Sequence, residues 1–357
     1  MAFERLPESV QTLYAELLDQ TIHGEAEAAL AEAPHGSFVS KQIKGGTYWY
    51  LQQREGDRKR QQYLGRESPS LQAWMGGARE ARARIAADAG QRARLCSMLV
   101  AGGAATEIAP TTRVLSLIAQ GGVFRMGGVL VGTQAFATYG NMLGVRFEQQ
   151  ALRTQDIDIA QDRSIGIALS RETAPLSIER LLTGSDLGLS AVPSFDSRKP
   201  STSFKVLGRD LRVDFLTPLL GRESEDPVFL PALGVAAHPL RFLDYLIESP
   251  AQAVVVSGSG VLVNVPDPGR FAFHKLWISE RRSVSEQTKA LKDRRQAGAL
   301  LETLLADRPG DVLEAWEALH RSPSVVKAVR AAIHRLSPEL GAELAARLDR
   351  AKTPDPS

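Results

Sequence analysis

Along the chain, the spacing of apolar and polar positions changes character several times. From Glu8 to Ala33 the residues are mostly Ala, Leu and Glu, which predicts a helix. From Ser37 to Gly65, β-branched and aromatic residues alternate with polar ones, and Gly45-Gly46 and Glu55-Gly56-Asp57 supply turns, so a three-stranded meander is expected. Pro69 opens a long Ala/Arg-rich helical stretch to about Val100, and a short helix is expected from Thr111 to Gln120. After Gly127 comes a short apolar strand, Val129-Leu130-Val131, running into Gly132-Thr133 and a helix-like segment. Thr154 to Ala160 alternates as a strand, and Ser177 to Thr183 is a candidate helix.

Two hairpins follow. One joins SFKVLG to LRVDFLTP around Gly208-Arg209-Asp210, and the other spans Ala253 to Val265 with a turn at Ser257-Gly258-Ser259-Gly260. Beyond Pro266 the pattern is helical, with Pro309-Gly310, Ser322-Pro323 and Ser337-Pro338 separating successive helices. The pattern divides the chain into an N-terminal module of helices and meander (1–110), a mixed core (111–265) and a helical domain (266–357). The expected fold class is α+β, with a small mixed, mostly antiparallel sheet flanked by helices.

Composition removes several classes. A hydrophobic share of 43% supports a sizeable core, and a net charge of +2 places any nucleic-acid affinity in local clusters. Cys96 is the single cysteine, so no intramolecular disulfide framework forms. The segment MAFERLPESV lacks the features of a secretory signal, and no uncharged apolar run reaches bilayer length, so no membrane association and a cytoplasmic location are expected.

The sharpest chemical signal is Asp156-Ile157-Asp158 with a later Asp214. Residues two apart on a strand share a face, so Asp156 and Asp158 converge while Ile157 and Ile159 point into the core. Asp214 lies in a second strand, between Val213 and Phe215. If the strands are neighbours, three carboxylates meet, and such hard oxygen donors suit Mg²⁺ or Mn²⁺. Taken alone, Asp-x-Asp also fits a strand edge facing water. Upstream, Gly132 allows close approach of a phosphate, and Thr133 opens a helix whose amides can bind it; the same pattern is also plain helix capping.

Together, "FRMGGVLVGTQAFATYGNMLGVRF", "RTQDIDIA" and "STSFKVLGRDLRVDFLTP" resemble the polymerase-beta-like nucleotidyltransferases, in particular a bacterial group neighbouring the abortive-infection nucleotidyltransferase toxins. The resemblance covers about Val123 to Lys292. It implies a metal-dependent enzyme that moves a nucleoside monophosphate from an NTP to an acceptor hydroxyl. It implies that Gly132 and Thr133 hold phosphates, that Asp156, Asp158 and Asp214 bind the metals, and that Arg153 contacts phosphate. Gly-Thr stands where the family usually has Gly-Ser, and residues 140–150 form an extra segment without an assigned role. The relatives carry a helical Lys and a later Lys-Asp pair for triphosphate and structural contacts; Lys275 and Lys292-Asp293 look like these. Phe271, Lys275, Ile278 and Arg282 share one helix face, while a solvated charged face accounts for Lys292 equally well. By family analogy, an antitoxin-like protein partner is a further expectation.

The meander is a second lead. Lys41, Lys44, Arg54, Arg58, Lys59 and Arg60 crowd it, with Tyr48, Trp49, Tyr50 and Tyr63 interleaved. Cations neutralise phosphates and aromatic faces stack on bases, so RNA, including a tRNA end, is the expected acceptor. A small sheet with its own aromatic core accounts for the same pattern. A transferase acting on a protein or small-molecule hydroxyl, and a non-catalytic binding module, are the alternatives. The sequence has no Walker A loop, dinucleotide fingerprint, zinc spacing or hydrolase triad signature.

Overall fold

The computed structural model describes residues 3–30, 36–43, 45–55, 58–148, 155–164, 177–194, 196 and 198–350. A three-residue strand β1 (Phe3–Arg5) leads into α1 (Glu8–Leu30). The expected meander follows as β2 (Ser37–Ile43), β3 (Gly46–Glu55) and β4 (Arg58–Arg66), an antiparallel sheet of its own. Next come α2 (Pro69–Ala101) and α3 (Ala109–Gln120). Ser68 caps α2 by accepting a hydrogen bond from the Leu71 amide, and Pro69 at the first position fits a helix start.

The core begins with β5 (Val129–Val131), α4 (Gly132–Met142) and β6 (Val145–Phe147). It continues through β7 (Asp156–Ala160), α5 (Ile178–Thr183), β8 (Leu189–Ala191), β9 (Ser203–Val206) and β10 (Arg212–Pro218). Then come β11 (Val228–Leu230), β12 (Val235–Leu240), α6 (Leu243–Ile247) and the hairpin β13 (Ala251–Val255) with β14 (Val261–Val265). Helices α7 (Pro268–Arg281), α8 (Gln287–Asp307), α9 (Pro309–Leu319), α10 (Pro323–Ile333) and α11 (Pro338–Arg350) complete the described chain.

The central sheet has seven strands in the order β11-β12-β10-β7-β5, with β9 and β8 branching from β10. β10 runs parallel to β7 and β12, and the remaining pairings are antiparallel, which matches the mixed, mostly antiparallel sheet expected. One edge of β10 is shared: its first half pairs with β9 and its last residues with β12. A cleft opens at that fork. The sheet and the C-terminal helices share one hydrophobic core, running from Val114 through Phe215 and Phe271 to Leu348. Phe271 locks α7 to α4 through an edge-on contact with Tyr139, at 5.1 Å between centroids.

Residues 140–150, without an assigned role from sequence, contain β6, which pairs with β1. The extra segment is therefore a docking edge for the start of the chain. A smaller core joins Leu6, Val10, Tyr14 and Leu17 to Leu99, Val254 and Val256, seating α1 on the β13–β14 hairpin. At its centre the Val254 amide donates to the Tyr14 hydroxyl at 3.1 Å, and burial pushes that phenol up to about 12. Phe242, before α6, has φ 62°, a left-handed conformation that costs a bulky residue on the order of 1–3 kcal/mol. Stacking on Tyr245 at 4.7 Å offsets it. Among the described residues no helix is long and apolar enough to cross a membrane.

The Tyr14 contact generates a test. Tyr14→Phe leaves the buried Val254 amide without a partner and is expected to cost about 1–3 kcal/mol in denaturant unfolding. Hydrogen exchange should quicken at Val254. Unchanged exchange there would mean that α1 does not stabilise the hairpin.

Candidate active site

Register places the carboxylates. β7 and β10 are parallel neighbours in which Asp214 lies opposite Asp158 and Arg212 opposite Asp156. The strands cannot slip, because Ile157, Ile159, Val213 and Phe215 have no exposed surface and a one-residue shift would turn them out. Asp158 and Asp214 therefore open together into a cleft of about 500 Å³, walled by β9, β12 and α7. Asp156 is exposed and stands outside the cleft's lining, one step along the same strand face. Among the described residues, no three His, Cys, Asp or Glu side chains gather as a ready metal cage. Full three-way convergence is thus not what the geometry gives: two carboxylates face each other and the third flanks them.

Asp158 carries the electrostatic strain. Burial first, then Asp214 and Asp156, push its carboxyl up to about 6, against the pull of Lys275 and Arg212. Asp214 is held differently. Its Oδ1 accepts from Arg212 Nε at 2.7 Å and from the Ser203 hydroxyl, while Arg212 also donates to Ser203 at 2.7 Å. Its Oδ2 makes no hydrogen bond among the described residues. Arg212 and Ser203 escaped notice in the sequence, although Arg212-x-Asp214 has the same two-residue spacing that singled out Asp156 and Asp158.

β5 pairs with the other edge of β7, setting Val131 opposite Asp158. The chain then enters α4 through Gly132 at φ 67°, where a Cβ would collide with Asp158 Oδ2. Only glycine fits both the left-handed backbone and that carboxylate. No side chain caps the N-terminus of α4, so its positive end faces the cleft beside the carboxylates. Thr133 Oγ1 accepts from Lys292 Nζ at 3.1 Å, tying α8 to the glycine turn. Burial first, then Lys275, lowers the Lys292 ammonium, while Asp293 and Asp156 oppose the shift.

Phe271, Lys275, Ile278 and Arg282 all line the cleft, as their common helix face predicts. Lys275 is deeply buried and bound to Asp293 at 2.8 Å, and Arg282 holds the other oxygen of Asp293 at 3.1 Å. Asp293 thus neutralises two cations that would otherwise repel. His274, also on the wall, is neutral, because burial and neighbouring Lys275 push its imidazole down to about 3.

Of the other candidates, Arg153 and Lys44 lie outside the described residues, as do the side chains of Arg54, Arg58 and Arg60. In the meander, Tyr48, Tyr50 and Tyr63 share one face, with ring centroids 6.3 and 5.4 Å apart, and Lys41 lies 4.6 Å from the Tyr50 ring. Trp49 and Phe38 face the other way, under Arg79 and Trp74 of α2. One aromatic set thus builds the packing surface. In the other, Tyr63 is 55% exposed and Tyr48 and Tyr50 are half-buried. Lys59 is exposed on β4.

Two measurements check these contacts. Asp293→Ala should cost about 3–5 kcal/mol in urea unfolding by stranding Lys275, and Lys275→Met combined with Asp293→Leu should recover most of it. The second concerns His274. Its folded pKa is depressed, so its share of stability is complete above pH 6.5 and is lost as pH falls toward 3. The loss is about 1.4 kcal/mol per pH unit. His274→Phe should flatten acid unfolding between pH 6 and 4, and an unchanged slope would contradict a buried neutral imidazole.

Comparison with known proteins gives two family matches. A family model described as "Nucleotidyltransferase" matches residues 109–320, more than half of the chain, and one described as "Domain of unknown function (DUF6788)" matches residues 5–73. No curated protein and no solved structure matches the chain.

Proposed function

We propose that this chain, which belongs to the nucleotidyltransferase family, moves a nucleoside monophosphate from an NTP to an acceptor hydroxyl in the cleft of Asp158 and Asp214. The observation that carries this is the in-register pair Asp158–Asp214 beside the uncapped start of α4. The donor chemistry fits a divalent cation: Asp158 is crowded by like charge that its neighbours do not neutralise, and Asp214 keeps an oxygen free. Asp158 and Asp214 would hold it, with Asp156 approaching from the flank. Mg²⁺ or Mn²⁺ bound there supplies Lewis-acid activation and neutralises charge on the departing group.

The chain's own groups do the rest. Gly132 and the first amides of α4 receive the triphosphate, with the Thr133 hydroxyl and Lys292 beside them. Lys275 adds a fixed positive charge, kept in place by Asp293. The acceptor oxygen bonds to the α-phosphorus, the bond from that phosphorus to the oxygen bridging toward the β-phosphorus breaks, and pyrophosphate leaves with the electron pair. The acceptor's proton passes to solvent water, while Arg212 and Ser203 fix the Asp214 carboxylate by Oδ1, which keeps Oδ2 turned to the cation site.

RNA is the acceptor we favour. Its support is the Tyr48, Tyr50 and Tyr63 cluster, with Tyr63 exposed and Lys41 beside it, a kind of surface on which unpaired bases can stack.

The test is incubation with each labelled NTP, Mg²⁺ and total RNA or lysate. Asp158→Asn should lower labelling roughly 10²–10³-fold or more. In metal-free buffer the same variant should be more stable by about 1–3 kcal/mol, since a buried charge is removed. Tyr63→Ala should weaken labelling of RNA. Equal labelling by wild type and Asp158→Asn would overturn the assignment, and label on protein alone would overturn the RNA acceptor.

A further inference from the structure

A second cavity, of about 730 Å³, lies beyond the carboxylate cleft. Asp162, Leu219 and Arg241 bring the C-terminal ends of β7, β10 and β12 to it, and Trp277 and Arg281 face it from α7. Its volume falls within the range of small-molecule sites. Phe242 divides it from the cleft: the ring lines this cavity and stacks at 5.8 Å and 13° on His274, which lines the cleft. Asp162 stands four residues beyond Asp158, two past the end of β7. The two spaces are neighbours with a wall between them.

The chemistry of the lining is specific. Phe242 and Trp277 lie 4.9 Å apart and present aromatic surface, and the Arg281 guanidinium sits 4.9 Å from the Trp277 ring. Arg321, by contrast, is consumed by Glu248 at 2.5 Å. Arg241 and Arg281 are exposed, and among the described residues neither has a carboxylate or hydrogen-bond partner. Two guanidinium groups without a carboxylate partner, beside the half-buried Phe242 ring and the rim of Trp277, match a phosphate next to a flat ring. Asp244 and Ser324 at the same rim can meet sugar hydroxyls.

We propose that this cavity is a second nucleotide site, taking a nucleoside monophosphate unit with its base against Phe242 and Trp277 and its phosphate between Arg241 and Arg281. The site stands without the transfer chemistry proposed above. Where that chemistry holds, the bound unit is either a free nucleotide or one residue of the acceptor strand.

Binding of AMP and of a fluorescein-labelled four-nucleotide single-stranded RNA, without divalent cations, tests it. Arg241→Ala combined with Arg281→Ala should weaken binding at least fivefold, whereas Lys292→Ala, at the glycine turn beside the first cleft, should leave it within twofold. Both arginines are exposed, so the fold should persist, as thermal melting would verify; the single variants should each show part of the loss. Tighter binding of the RNA than of AMP assigns the site to a strand, and equal binding assigns it to a free nucleotide. Absence of wild-type binding at millimolar ligand, a loss under fivefold in the double variant, or an equal loss in Lys292→Ala overturns the proposal. Asp158→Asn should retain binding, so failure of transfer and failure of this site are read separately.

Discussion

Two carboxylates fixed side by side on parallel strands are the constraint around which this molecule is arranged. Asp158 and Asp214 face each other because four apolar neighbours with no exposed surface lock the register of β7 and β10. Like charges so placed repel, and burial increases the cost. The surroundings answer that repulsion piece by piece. Gly132 gives the Asp158 carboxylate room, the open end of α4 faces it, and Arg212 with Ser203 clasps Asp214. Lys275 contributes charge from a helix that is otherwise core, and it can be buried there only because Asp293 accompanies it.

The helical part of the chain is not a separate lid on this arrangement. α7 buries most of its apolar residues against the sheet and its neighbouring helices, and the stripe of Phe271, Lys275, Ile278 and Arg282 lines the cleft. Its rigidity therefore places Lys275 and Arg282 as firmly as the sheet places the aspartates. α8 adds Lys292 to the glycine turn, so the cations around the carboxylates come from two elements that pack against each other.

Much of this was legible in the sequence, for physical reasons. The meander, the long helices, both hairpins and the strand bearing Asp156 and Asp158 all follow from strong periodicity and turn chemistry. The stripe on α7 was found by helical spacing alone. What escaped were short pieces without a period: Phe3–Arg5, Val145–Phe147 and Val228–Leu230 are three residues each, too few to show alternation. Their existence depends on a partner far along the chain. The fork in β10 was hidden because β12 meets it over only Leu216, Thr217 and Pro218. Asp156 looked equivalent to Asp158 because both share a strand face, but sequence spacing does not show how deeply each lies, and only Asp158 reaches the cleft.

The seating of α1 has a consequence for how the molecule is made. Phe3 pairs with Phe147, and Tyr14 meets Val254, so the first helix finds its partners only after most of the chain has left the ribosome. At about 5–20 residues per second, its apolar side waits on the order of tens of seconds. During that interval Leu6, Val10 and Leu17 lack Val254 and Val256, the hairpin side of their core.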